Sequence, residues 1–392
     1  MYLPPFLLFK HLRVLTIEVP VRRPFTDFLD FTGICHLFQL GYLKIMANNY
    51  RVVLPSKIGG LQQLETFHLE TNISFSEGVH YQELPSDMSH ISRLMHLIVP
   101  GWRGLCDGLE NMKSLRTLRS LNLCWGSANN VKVLRELTSL TDLEIGWYHG
   151  MGISVSCDEA AARGRVVLNT CLEKFCNLKY LYLRRCPANI SLGVSNSVRA
   201  SFCHLQRFRG DVSWFLRVPE WIGELHNLYD LDLTVKEVLD EDVGVLAQLP
   251  SLTRLSLHIL ASPREKITIR GSAFPVLEHF TFICRRVWYL TFEAMAMTKL
   301  KRLELVFVEK GWDRYDIVPA GIEHLPSLRE ISLRIGNCGD RESCRQAAES
   351  ALRNAVDKHP GRTTASIRCD SYSEYIFDDE GHVVYGGYGS YR

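Results

Sequence analysis

The chain has 392 residues, 46% of them hydrophobic and 22% charged, with 45 basic and 43 acidic side chains and a formal net charge of +2. That near balance gives no electrostatic reason to expect nucleic-acid or membrane binding, and no apolar run reaches the length needed to span a bilayer. Twelve cysteines occur without a single C-x-x-C pair, which points to reduced, buried thiols of a cytoplasmic protein rather than to a disulfide framework or a zinc site.

The opening MYLPPFLLFK is briefly apolar. It has no basic first segment and no small-residue cleavage site, so no secretory signal is expected. It leads straight into a ladder of apolar residues that recurs thirteen times, anchored at Leu12, Leu40, Leu64, Leu94, Leu118, Leu140, Leu178, Leu205, Leu228, Leu252, Leu277, Leu300 and Leu328. The residues three before and three after each anchor are apolar in every copy; the residue five after is apolar in all but one, where Gly210 stands. The clearest copies are LPSKIGGLQQLETFHL from Leu54 and VPEWIGELHNLYDLDL from Val218.

The final step of two in each copy is a short strand with two inward side chains, and the steps of three return the chain through tight turns. One copy cannot close a core, but stacked copies bury each other's ladders. The expected fold is therefore an α/β leucine-rich-repeat solenoid, a horseshoe with a parallel concave sheet and a C-terminal helical cap. Two copies are irregular. The longest interval, Leu140 to Leu178, reads as a loop and then a helix-like return over residues 158–172. The copy at Leu205, with Phe208 and Gly210 on its strand, is a distorted turn or a bend between two segments.

After the last copy, Cys344, Ala347, Ala348, Ala351, Leu352, Ala355 and Val356 form one helical stripe between Asp340, a candidate N-cap, and Pro360-Gly361. A last strand follows over Thr363 to Ile367. The domain reading is a solenoid over 1–338, a helix-strand cap over 339–369 and a Tyr/Gly-rich tail over 370–392, expected to be disordered. No comparable cap stands at the start. That open end suggests either a truncated product or packing against another domain.

Residues between the strand leucines point away from the core and are free to suit a ligand. The candidate protein-binding residues are His68, Glu70, Asp142, Glu144, Tyr180, Tyr182, Arg184, Asp230, Asp232, Arg254, His258, Arg302, Glu304 and Arg334. Their mixed charge suits a protein partner. The pairs Asp142/Glu144 and Asp230/Asp232 could hold a metal or serve glycoside chemistry, but no pocket is implied and a solvated acidic patch is the expectation. His68, His258 and His279 are expected to face solvent. Trp125, Trp147, Tyr148, Trp288, Tyr289 and Trp312 fall just after strands and are read as cover for the core rim. G-x-S-x-G, H-E-x-x-H and EF-hand patterns are absent, so no catalysis, cofactor or small-molecule substrate is expected.

The LP-x-x-I-x-x-L-x-x-L form at Leu54, the segment FPVLEHFTFICRRVWYLTFEAMAMTKLKRLELVF (Phe274 to Phe307), and GIEHLPSLREISLRIG followed by the helix and Lys358-His359-Pro360 are the most specific stretches. Together they resemble the repeat region of plant intracellular immune receptors of the coiled-coil nucleotide-binding type, in particular the grass members. In those the middle of the late segment runs closer to L-x-F-x-x-G-A-M-P than Glu293-Ala294-Met295-Ala296-Met297 does. The resemblance implies a non-catalytic module of innate immunity whose partners are a pathogen effector, a host target or a nucleotide-binding switch domain. The chain contains no G-x-x-x-x-G-K-[ST], hence no phosphate cradle for such a switch. A repeat-only adaptor, such as the substrate arm of a ubiquitin ligase, or a receptor remnant is the alternative.

Overall fold

The computed structural model describes residues 6–20, 28–47, 50–71, 84–99, 108–122, 134–146, 174–184, 202–261, 266–284, 290–307, 319–336, 342–361, 363–370, 375–377 and 383–385. The post-strand aromatics from Trp125 to Trp312, the return over 158–172 and Asp340 lie outside the described residues. The chain forms two compact units that divide between Phe202 and Cys203.

The first unit holds β1 (Val14–Glu18), β2 (Phe28–Asp30), β3 (Tyr42–Met46), β4 (Arg51–Val53), β5 (Thr66–Glu70), β6 (His96–Ile98), β7 (Thr117–Asn122), β8 (Asp142–Gly146) and β9 (Tyr180–Arg184). Strands β1, β3, β5, β6, β7, β8 and β9 pair in that order, all parallel. Strands β2 and β4 form a separate parallel pair.

The steps of three have a direct physical cause. Ile34 N–H donates to Phe31 O, Leu37 N–H to Ile34 O and Leu40 N–H to Leu37 O, at 2.9–3.0 Å. The same chain of bonds runs through Ile58, Leu61 and Leu64 in the next copy. Three residues per turn returns every third side chain to the same face, so the leucines at this spacing all enter the core. Each chain end of the return is then tied to the previous copy: Glu65 and Thr66 N–H both donate to Gly41 O, and Met95 and His96 N–H to Glu65 O. Phe67, Leu97, Leu118, Leu143 and Leu181 are at most 1% exposed. At the sheet margin Leu15 and Ile17 of β1 are only half-buried, and Val14 is exposed.

One anchor is corrected. Leu118 pairs with Leu143, and Leu121 pairs with Ile145, with a register shift between them. The anchor of that copy is thus Leu115, and β7 carries one extra residue as a bulge. Met112, Leu115, Leu118 and Leu121 are spaced by threes, so Leu115 also has apolar residues three before and three after it. The ladder favours Leu118 because Leu123 stands five after it and Ser120 five after Leu115, and pairing to β8 overrides that preference.

The second unit holds β10 (Arg207–Phe215), β11 (Asp230–Val235), α1 (Asp240–Ala247), β12 (Arg254–Ile259), β13 (Ile267–Ile269), β14 (His279–Cys284), β15 (Leu290–Phe292), β16 (Arg302–Phe307), β17 (Glu330–Gly336), α2 (Glu342–Asp357), β18 (Thr364–Asp370), β19 (Tyr375–Phe377) and β20 (Val383–Tyr385). Its sheet runs β10-β11-β12-β14-β16-β17-β18, again all parallel. On the return side β13 pairs parallel with β15, and Thr291 bridges to Ala320.

The weak copy at Leu205 is repaired by Phe215, five residues past Gly210 on the same strand. Gly210 pairs with Leu233, the register shifts, and Phe215 pairs with Val235. A Cβ on Gly210 would lie 3.1 Å from the Phe215 ring, which sits 6.2 Å from the Phe208 ring. The aromatic ring fills the volume that a ladder leucine occupies elsewhere.

Helix α1 has no counterpart in the sequence reading. Asp240, Glu241 and Asp242 favour its first turn, and the Asp242 carboxylate accepts from Leu239 N–H at 2.8 Å. Helix α2 packs on β18 and on the 3₁₀ turn Ile322–His324. Its stripe residues Ala351, Ala355 and Val356 are half-buried, while Gln346, Ser350, Arg353 and Asn354 are exposed. The buried His359 imidazole closes the cap. Nδ1 accepts from Gly361 N–H at 3.0 Å, so Nε2 carries the proton and donates to Leu325 O at 2.8 Å. Within the tail expected to lack order, β19 and β20 pair antiparallel, with Tyr375 opposite Tyr385. Their β-branched and aromatic composition suits such a pair.

Candidate functional site

In the first unit the strand alternation brings most of the expected residues to one face. Register places Asp142 beside Tyr180, Glu144 beside Tyr182 and Gly146 beside Arg184. Arg119, on the bulge of β7, joins them and was hidden from sequence reading by the misplaced anchor. Its guanidinium donates through Nε to both Asp142 oxygens at 3.1 and 3.2 Å, and lies 5.6 Å from the centre of the Tyr182 ring. Burial works against the Arg119 charge. The hydrogen bonds to Asp142, reinforced by Tyr182 and Glu144, nevertheless hold its pKa above the ordinary arginine value. Arg184 Nε lies 3.0 Å from a Glu144 oxygen.

The acidic pair is therefore not a solvated patch. Asp142 and Glu144 are 7% and 6% exposed, roofed by longer arginines from neighbouring strands. An aspartate reaches two bonds from Cα and stays at the sheet floor; an arginine spans the gap and keeps its head in water. Replacing Arg119 with Ala should leave Asp142 uncompensated and cost about 2 kcal/mol, allowing for the part-exposed arginine. A urea midpoint unchanged from the parent would show that the pair carries no weight.

His68 and Glu70 lie on the same sheet, with Nε2 and Oε2 3.9 Å apart. Burial, then Lys44 and Arg119, lowers the His68 pKa against the opposing pull of Glu70. His68 is thus largely neutral near pH 7.

The second unit repeats the design. Asp230, 5% exposed, lies between Arg207 at 3.5 Å and Arg254 at 3.9 Å. Arg207 also donates to the Tyr229 hydroxyl at 2.6 Å. Asp232 sits 3.7 Å from Arg209 and keeps 40% of its side chain exposed. Arg302 grips Glu330 through two bonds of 2.8 and 3.0 Å, and Arg334 lies 4.0 Å from Glu304. The hydrogen bond from Arg302 is the main cause lowering the Glu330 pKa.

His258 departs most from expectation. It points to the outer face by register, yet it is 4% exposed, and burial pushes its pKa down to about 4. Its row neighbours Thr234, Ile283 and Val306 are 3%, 6% and 5% exposed. The ends of β11, β12, β14 and β16 are thus buried on both faces. The apolar Ile283 and Val306 at outward positions were the sequence signal for this. Asp142, Glu144 and Asp230 form a buried floor beneath guanidinium groups and tyrosines, while Glu70, Asp232, Glu304 and Glu330 remain part-exposed beside them. Among the described residues no group of three or more His, Cys, Asp or Glu side chains is arranged to hold a metal ion. No described helix is long and apolar enough to cross a membrane.

The sequence model of the family described as "Leucine-rich repeat region" matches residues 1–365. Disease resistance protein RGA5 of Oryza sativa subsp. japonica is 36% identical over 367 residues, covering 92% of this chain and 31% of that protein. Disease resistance protein Pikm1-TS, also from rice, is 30% identical over 169 residues, 42% of this chain and 14% of that protein. Among solved structures, a TDR receptor is similar at 16% identity with a TM-score of 0.49, over 92% of this chain and 61% of that one. The chain spans under a third of the rice relative's length. With a ladder repeated through both parallel sheets and a family match along nearly its whole length, the chain belongs to the leucine-rich repeat region family that it shares with rice disease resistance proteins.

Proposed function

We propose that this chain is a non-catalytic protein-recognition module of plant innate immunity, working inside the cell and sensing a pathogen effector or a modified host protein through the outer faces of its sheets. The observation that carries the reading is the pairing of buried Asp142, Glu144 and Asp230 with long arginines. It leaves the face rigid, pre-ordered and rich in Arg and Tyr, the residue types that dominate binding hot spots. Fixed guanidinium groups lose little entropy on docking. The disease-resistance relatives supply the biological setting.

Tyr180 tests the reading with least disturbance, because Tyr182 and Arg184 are needed to cover Glu144. Partners captured by the immobilised chain from infected grass tissue would be identified, then titrated against parent and Tyr180→Ala. Affinity should fall about tenfold or more, with the melting temperature nearly unchanged. Equal affinity for parent and variant, or capture that survives replacement of every half-exposed residue of β9, would place recognition elsewhere.

A further inference from the structure

We propose that the second unit binds an extended acidic peptide of a protein partner in a groove along the margin where its strands begin. This site adjoins the second unit's sheet face, with which it shares Glu330, and does not depend on the first-unit cluster around Asp142. The groove measures about 900 Å³, and its charged lining is Glu278, Lys299, Lys301, Arg329 and Glu330. The residues just ahead of β14, β16 and β17 form rungs, and Thr364, the first residue of β18, adds the last. Lys301 N–H donates to Glu278 O, Arg329 N–H to Lys301 O, and Thr364 N–H to Arg329 O, at 2.8–2.9 Å. Successive rungs therefore sit one strand spacing apart, about 4.8 Å. Ser327 stiffens the wall by donating to Thr298 O at 2.6 Å.

The charges do not cancel. Glu278 is held by Lys301 at 2.7 Å, and Glu330 by both arms of Arg302. Both carboxylates titrate below their ordinary value, chiefly through those hydrogen bonds. Lys299 and Arg329 remain, both exposed, and among the described residues neither has an ion-pair partner. The groove thus offers two cations outside any ion pair among the described residues, Lys299 adding only a longer-range pull on Glu278, on a wall set by backbone bonds.

The same lining selects a peptide over a nucleic acid. A phosphate chain places a charge at every step and would meet Glu278 and Glu330, and no aromatic ring lines the groove for bases to stack on. An acidic peptide can aim side-chain carboxylates at Lys299 and Arg329 while its own N–H groups donate to the two glutamates.

The probe is fluorescein-labelled octaglutamate, measured by anisotropy with the full chain. Binding is expected at low ionic strength and should weaken steeply with salt. Lys299→Glu with Arg329→Glu should lower affinity at least about tenfold, and Lys299→Gln with Arg329→Gln by a smaller factor. Lys266→Glu, an exposed site off the groove, and Tyr180→Ala should leave binding within about twofold of the parent. The neutral pair guards against a fold defect in the reversal. The proposal is overturned if octaglutamate does not bind at low salt, if both pairs bind like the parent, or if a single-stranded oligonucleotide of equal charge binds as well.

Discussion

Gly321→Ala is expected to destabilise the late repeats by about 2–5 kcal/mol. Gly321 has φ +84°, a left-handed conformation that costs an L-residue about 1–2 kcal/mol. The added Cβ would also stand 2.0 Å from Phe292 O. That carbonyl cannot yield, because it accepts from His324 Nδ1 at 3.0 Å while Phe292 N–H donates to Ala320 O at 2.9 Å. Overpacking against fixed backbone adds about 1–3 kcal/mol. In a stacked array the loss should fall first on neighbouring copies, so hydrogen exchange should show β15 and β17 deprotected before β1 to β9. Gly244→Ala is the control. It lies in α1 with nothing within 4 Å of a new Cβ, and should gain about 0.5–1 kcal/mol. If Gly321→Ala melts with the parent, the close approach to Phe292 is not as described.

The second large effect is a loss of stability on acidification through His258. Unfolded, the imidazole titrates near 6.5; folded, burial holds it down to about 4. Between those values the unfolded chain binds a proton that the folded chain refuses. Stability is therefore full above about pH 6.5 and falls as pH drops toward 4, by up to about 3 kcal/mol. His68 and His279 are lowered in the same direction, each chiefly by burial, and add to the slope. His258→Leu should remove only its own share. Urea midpoints at pH 7.5 and 5 would show a smaller difference for the variant than for the parent. Identical differences would mean that His258 is solvated in the native state.

How much of this was legible in the sequence differs from residue to residue. The strand at Leu231 and Leu233 could be read directly, because a ladder residue touches only its own copy and the copies on either side, and period alone specifies those contacts. The β7 anchor could not, because Ser120 and Leu123 make the ladder favour Leu118 over Leu115, and the bulge that brings Leu121 opposite Ile145 is set by pairing with β8. Arg119 was lost with it, though it is central to the first-unit cluster. Helix α1 escaped notice because eight residues are too short for a clear helical period, although three consecutive acidic residues at its start were a cue.

The sequence by itself determined the repeat, the parallel ladder strands, the inward and outward assignment of most of their residues, and the family; the short pairs β2–β4, β13–β15 and β19–β20 were not among its readings. What it determined follows from local periodicity, which a solenoid converts almost unchanged into structure. Only the tertiary structure decided which outward residues are accessible. Asp142, Glu144 and Asp230 face outward and are buried nonetheless, because arginines one strand away are long enough to roof them. His258 faces outward and is dry because its whole row is covered. Alternation specifies a direction from the backbone; exposure depends on the lengths and register of side chains on other strands, which no single copy of the repeat contains.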